Sequence, residues 1–258
     1  MTKKKGLRKK PRKRKIDSVS KPRYNSPMQI VTVQFDRVGK TNFDRLLSVF
    51  RKSINHHMPN VELVEYMIPA PERTVERARN LSDNSAKLAI WSRHMETTTK
   101  PVIFADCDML CVGSAHHAFD PDFDIAFTKI QQKHRFPMNG GIIMARPTQA
   151  ARDFFALWLE VNDRMFADPN FHCRWKSTYG GMNQAAFGYL YDKHEIPGVL
   201  HEYSTRIWNA ITCDWQHLTD ETVFIHFKSK LRNLVLTDRP PTGVYAPAMK
   251  LWYEERDR

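Results

Sequence analysis

Neither of the common phosphate-cradling signatures occurs in this sequence: there is no GxxxxGK[ST] and no GxGxxG among its 10 glycines. A P-loop or a Rossmann dinucleotide site therefore has no support. No run of 18 apolar residues occurs, so no transmembrane span is expected. The N-terminus is basic but lacks the apolar stretch of a secretory signal. Only four cysteines are present (Cys107, Cys111, Cys173 and Cys213), and none form a CxxC pair. That usage points to a reduced, cytoplasmic protein without a disulfide framework. No internal repeat is found, and no low-complexity segment follows the basic N-terminus.

What is present is enough for a sizeable core: 258 residues, 41% of them hydrophobic, with 15 Phe and 6 Trp. The formal charge of +12 is concentrated at one end. Residues 1–23 carry 12 of the 40 Lys and Arg but only one acid, leaving 28 basic against 27 acidic residues in the rest. Residues 1–27 therefore read as a disordered polybasic tail, since like charges repel and there is little apolar surface to bury. Such a tail can hold nucleic acid or an anionic membrane surface through counterion release and surface attraction. The folded part runs from residue 28 to 258.

Along that part, strand and helix patterns alternate. Residues 28–36 are rich in β-branched residues and read as a first strand. Residues 42–54 place Phe43, Leu46, Leu47, Val49, Phe50 and Ile54 at helical spacing. A strand is expected over 61–68, a helix over 81–97, strands over 123–128 and 139–146, and helices over about 148–166 and 182–192. Alternation of this kind indicates an α/β sheet with helices on both faces, whose ligands sit beyond the carboxyl ends of the strands.

The most informative stretch is PVIFADCDMLCVG, residues 101–113. It reads as one buried strand, with Asp106 and Asp108 on one face and Cys107 on the other. Cys107 and Cys111 would share a face, too far apart to bridge. Two carboxylates at the end of a buried strand are costly unless paired or bound to a cation. Mg²⁺ or Mn²⁺, shared with substrate phosphates, suits such an oxygen-rich place. With no glycine cradle, phosphate must be neutralised by that ion and by scattered Lys, Arg and amide donors.

Five pieces in order then carry a resemblance: Asp106-Cys107-Asp108 as D-x-D, Asn139-Gly140-Gly141, Asn183-Gln184 at a helix start, Trp208-Asn209, and His226-Phe227-Lys228-Ser229-Lys230-Leu231-Arg232 in place of H-x-x-G-x-x-K. Over residues 28–235 the chain resembles the GT-A glycosyltransferases, and among them the glycogenin-like and bacterial galactosyltransferase-like retaining enzymes. The resemblance implies a mixed, mostly parallel sheet flanked by helices. It also implies a metal-dependent hexosyltransferase that uses a nucleotide sugar, a UDP-sugar in the first instance, and Mn²⁺ or Mg²⁺. On this reading Asp106, Asp108 and His226 hold the metal, with the imidazole favouring Mn²⁺. Lys228 and Arg232 contact the phosphates, Phe35 and Asp36 the nucleoside, and Lys87 the sugar-phosphate. Asn139, Gly140 and Gln184 line the donor sugar, and Asp106, Asp108, Asn183 and Gln184 stand at the catalytic positions. The chain departs from the pattern at Asn183, where the family usually has Asp, at Ser229 for Gly and at Arg232 for Lys. The Pro-Trp that often follows is replaced by Asn233-Leu234.

Without the resemblance, His226 among Val223, Phe224, Ile225 and Phe227 reads as a core histidine, and Trp208-Asn209 as a packing pair. His56-His57, His116-His117 and His172-Cys173 lack zinc-ligand spacing and read as surface or loop residues. Two other classes compete. A nucleotidyltransferase would show a Gly-rich basic loop after the first strand, where QFDRVGK has one Gly. A non-catalytic nucleic-acid binder acting through the tail would spread basic and aromatic residues over its folded surface, which here is charge-balanced. The acceptor stays open between a glycan, a lipid-linked glycan and nucleic acid.

Overall fold

The computed structural model describes residues 27–35, 42–68, 76–131 and 136–258. The expectations for the basic tail up to residue 26 and for Asp36 lie outside the described residues. The chain folds as β1 (Gln29–Phe35), α1 (Phe43–His57), β2 (Glu62–Ile68), α2 (Glu76–Thr97), β3 (Val102–Asp106) and β4 (Met109–Cys111). It continues with β5 (Ile125–Lys129), β6 (Met138–Ala145), α3 (Gln149–Ala167), α4 (Pro169–Tyr179), α5 (Asn183–Lys193) and β7 (Leu200–Ser204). The last elements are α6 (Thr205–Trp208), β8 (Phe224–His226), α7 (Ser229–Leu236) and α8 (Ala246–Asp257).

Six strands form one sheet in the order β2-β1-β3-β6-β5-β7. The β1–β2, β1–β3 and β5–β7 pairs are parallel, whereas β6 runs antiparallel to both β3 and β5. The sheet is thus mixed and mostly parallel, as expected. Alternation along the strands divides the core. Val31, Val33, Phe104 and Phe127 pack with Trp91, Phe154, Phe155 and Trp158 from α2 and α3. Ile30, Ile103 and Ala105 face the other way, onto Leu47, Phe50 and Ile54 of α1. Local chemistry sets the helix starts. Asn42 accepts from Arg45 N at 2.9 Å, Thr148 from Ala151 N at 3.2 Å, and Asp168 from Asn170 N at 2.9 Å ahead of Pro169.

One expectation is corrected. The apolar stretch 101–113 is not a single strand: β3 ends at Asp106, and Cys107 and Asp108 form a turn. The chain then leaves the large sheet, and β4 pairs antiparallel with β8 in a separate ribbon, Met109 opposite His226. The Asp108 carbonyl accepts from Phe227 N at 2.7 Å, so ribbon pairing begins at the turn itself. A continuing strand would carry the Asp108 carboxylate into the apolar sheet core, whereas the turn places it among polar partners. The ribbon has its own core: Leu110, Ile225 and Phe227 pack with Leu231 and Val235 of α7, Met249 and Trp252 of α8, and Leu46 and Val49 of α1. All four cysteines are free thiols. Among the described residues no helix is long and apolar enough to cross a membrane.

Candidate active site

The strand end, the turn and the ribbon bring three side chains together. Asp106 closes β3, Asp108 sits in the turn and His226 closes β8. His226 Nε2 lies 3.2 Å from Asp108 Oδ1 and 3.6 Å from Asp106 Oδ2. One ligand atom from each of the three falls within 4.8 Å of the others. Two carboxylates and one imidazole at that spacing are a donor set suited to a hard or borderline divalent ion such as Mn²⁺.

His226 is oriented from behind. Its Nδ1 is 3.1 Å from Asn209 Oδ1, while Asn209 Nδ2 donates to Thr128 Oγ1 at 2.8 Å and Asn139 Oδ1 at 3.0 Å. The Asn209 oxygen is therefore the acceptor from Nδ1, which fixes the ring so that Nε2 faces the two carboxylates. Asn209 is fully buried and serves the histidine, not an acceptor molecule. Its neighbour Trp208 packs against Tyr203 and His117, with both ring centroids 5.0 Å away. These three rings line a cavity of about 670 Å³ at the opposite end of the ribbon from His226.

Room for the histidine comes from Gly141. A β-carbon there would stand 2.6 Å from His226 Cε1 and Nδ1 and 2.9 Å from Asn139 Oδ1. The strand register shifts here, since Thr128 pairs with Asn139 but Phe127 with Ile143, so both glycines sit in a bulge that re-aims β6. Gly140 is less constrained. A β-carbon on it would meet Gln184 Oε1 at 3.7 Å, an ordinary contact. Sequence reasoning includes Gly141 in the motif but gives the sugar-lining role to Gly140, and it passes over Thr128. Only the contact with a histidine 85 positions away distinguishes the two glycines.

Three cations rim the carboxylates. Lys87, on α2, reaches Asp106 Oδ1 at 2.5 Å and lies 4.6 Å over the Trp91 ring. Arg232, on α7, donates from Nη1 to Asp108 Oδ2 at 3.1 Å and stands 5.5 Å from the Phe43 ring, while its buried Nε has no hydrogen-bond partner. Burial pulls the Lys228 ammonium below its ordinary value, against the opposing pull of Asp106 and Asp108. Burial pushes the Asp108 carboxyl up, but His226, Arg232 and Lys228 together outweigh it and hold the group below its usual range. The Cys107 thiol is pushed up by burial and by both aspartates, so it stays protonated.

The remaining expected residues fall as follows. Gln184 spends both ends of its amide on backbone: Oε1 accepts from Gly140 N at 3.1 Å, and Nε2 donates to Met138 O at 2.9 Å and to Tyr179 O. It ties the start of α5 to β6. Asn183 is buried beside it, its carbonyl accepting from Trp158 Nε1 at 2.7 Å. Phe35, at the end of β1, is partly buried against the α2 side of the core. Ser229, at the position where the H-x-x-G-x-x-K pattern has glycine, stands at φ 52°. A side chain in that left-handed region costs roughly 1–2 kcal/mol, partly offset because glycine loses more entropy on folding. Ser229→Gly should therefore stabilise the protein by about 0.5–1 kcal/mol and raise the melting temperature by about 2 °C, measured by calorimetry.

No protein-family model matches the chain, and no curated protein matches it. Solved structures do. A glycosyltransferase involved in glycosylation of the major capsid of PBCV-1 superposes with TM-score 0.57 at 13% identity, over 87% of this chain and 100% of its own. The galactosyltransferase LgtC, in complex with donor and acceptor sugar analogs, gives 0.54 at 13% identity over 89% of this chain and 95% of its own. The glycosyltransferase GlyE of Streptococcus pneumoniae gives 0.54 at 12% identity over 89% of this chain, which spans 60% of GlyE. At these identities the likeness is one of architecture: the chain has the GT-A type fold of glycosyltransferases.

Proposed function

We propose that this protein is a metal-dependent glycosyltransferase that moves a hexose from a nucleotide-diphosphate sugar, a UDP-sugar in the first instance, to a hydroxyl acceptor. One observation carries the reading: Asp106, Asp108 and His226 place ligand atoms within 4.8 Å of one another at the carboxyl end of β3, beside three cations, in a GT-A fold. Asp106, Asp108 and His226 would hold Mn²⁺ or Mg²⁺. When bound, such an ion neutralises charge on the diphosphate leaving group. In transfer the bond from anomeric carbon to phosphate oxygen breaks, its electron pair going to the phosphate, and the acceptor oxygen bonds the carbon as its proton leaves.

The chain's own residues serve that change of charge. Lys228 and Arg232, the latter with a buried Nε that has no partner, would donate charge-assisted hydrogen bonds to phosphate oxygens. Lys87 donates to Asp106 and would keep a cation near the sugar-phosphate. Phe35 and Asp36 would meet the nucleoside, and Asn139, Gly140 and Gln184 the donor sugar. No carboxylate stands at Asn183, so a covalent sugar–carboxylate intermediate there is excluded. The basic tail would supply affinity for an anionic acceptor, whether lipid-linked glycan or nucleic acid.

The test is NMR-monitored cleavage of a panel of nucleotide sugars with Mn²⁺ or with chelator, on the full chain and on protein lacking residues 1–23. The expected result is slow cleavage of one donor that chelator abolishes and that tail removal leaves unchanged. The anomer first released reports retention or inversion. If neither cleavage nor nucleotide binding occurs with Mn²⁺, the enzyme reading fails.

A further inference from the structure

The buried stripe of α8 runs Ala248, Met249, Trp252 and then Glu255. A carboxylate that is 4% exposed thus stands where helical periodicity asks for an apolar residue. Burying that charge is costly unless it is fully paired, and its pairing is lopsided. Oε1 has three neighbours: His56 Nδ1 at 2.9 Å, His57 Nε2 at 3.3 Å and Arg258 Nε at 3.2 Å. Oε2 is buried with no hydrogen-bond partner. His56 and His57 end α1, their ring centroids 4.3 Å apart, and one ligand atom from each histidine and from Glu255 lies within 4.8 Å of the others.

The surroundings favour positive charge. Both α1 and α8 end here, and carbonyls at helix C-termini attract cations. Lys52 already donates to Arg256 O at 2.8 Å. The Arg258 side chain is 53% exposed, so its single contact with Glu255 is one that an ion can replace. Because β1 and β2 are parallel, α1 runs back across the sheet and ends at the edge opposite Asp106.

We propose that His56, His57 and Glu255 form a second metal site that takes a borderline divalent ion, Zn²⁺ first among them, and clasps α8 onto α1. Two imidazoles and a carboxylate match Zn²⁺, with the fourth position left to water. Mg²⁺ and Ca²⁺ ask for oxygen donors throughout. Sequence spacing hides this site because the third ligand lies 198 residues beyond the second. The clasp stands independently of the transferase reading.

The test is Zn²⁺ binding to the full chain by competition with a chromogenic chelator, for the parent, for Asp106→Asn, and for Asp106→Asn carrying His56→Ala or His57→Ala. The parent and Asp106→Asn should keep one ion of equal affinity. Removing a histidine should weaken it by at least the roughly 10–100-fold that even an outer partner of a metal site is worth. Zn²⁺ should raise the unfolding temperature of Asp106→Asn but not once His57→Ala is added to it. His56 is 39% exposed at its side chain, so its replacement keeps the test alive if His57→Ala does not fold. Unchanged Zn²⁺ affinity when His56→Ala or His57→Ala is added to folded Asp106→Asn, or a parent that binds only the ion Asp106→Asn removes, would overturn the site.

Discussion

Asp108→Asn should lower metal-dependent donor cleavage by about 10²–10³-fold, the range seen when one group that stabilises developing charge is removed. The substitution keeps the shape but removes the anion that faces His226 Nε2 at 3.2 Å and Arg232 Nη1 at 3.1 Å. Mn²⁺ affinity and cleavage rate should fall together, checked by titration and by the NMR assay. A cleavage rate within twofold of the parent would show that Asp108 is structural. The carboxyl also carries a pH signature. Because the fold holds it below its ordinary value, its contribution to the ion-free protein is present above about pH 4 and is lost as pH falls through the depressed value. The Asn variant should lack that part of the acid transition.

Gly141→Ala should weaken Mn²⁺ binding by about 10–100-fold, as for lost support behind a metal ligand, and cost about 1–3 kcal/mol of stability. The added methyl would stand 2.6 Å from the His226 ring, against an imidazole that is 4% exposed and braced by Asn209. Gly141 lies in the bulge, flanked by the Ile142 pairing to β3 and the Asn139 pairing to β5, so its backbone has little room to shift and the ring is pushed from its place between the carboxylates. Gly140→Ala is the comparison. Its new methyl meets only Gln184 Oε1 at 3.7 Å, so Mn²⁺ affinity and melting temperature should stay near those of the parent. Equal losses in the two variants would show that the bulge needs glycine for backbone freedom alone, and the argument from His226 would fail.

The large sheet was legible because its strands are β-branched runs and its helices carry strong apolar periodicity, as in β1 and α1. Asp106, Asp108 and His226 were legible through the order of motifs, which survives even where composition says little. The break after Asp106 was not, because the apolar run resumes at Met109 and a change of partner sheet leaves no mark on periodicity. Asn209 was legible as part of a pair but not as the histidine's support, since hydrogen-bond direction is a property of the packed fold. The helices α4, α7 and α8 went unread. α7 begins with a residue at positive φ, and α8 carries an acid on its buried stripe. Both break the local rules by which helices are recognised.

The turn at Cys107-Asp108 has one further consequence. Asp106 is anchored in the six-stranded sheet, whereas Asp108 and His226 belong with the ribbon that rests on α7 and α8. The site is therefore spanned by two jaws with separate foundations, like a caliper. The ribbon's jaw is seated on α8, where Trp252 and Phe227 have ring centroids 4.9 Å apart. A change in that distant seating alters the gap between the aspartates while leaving every ligand in the sequence intact.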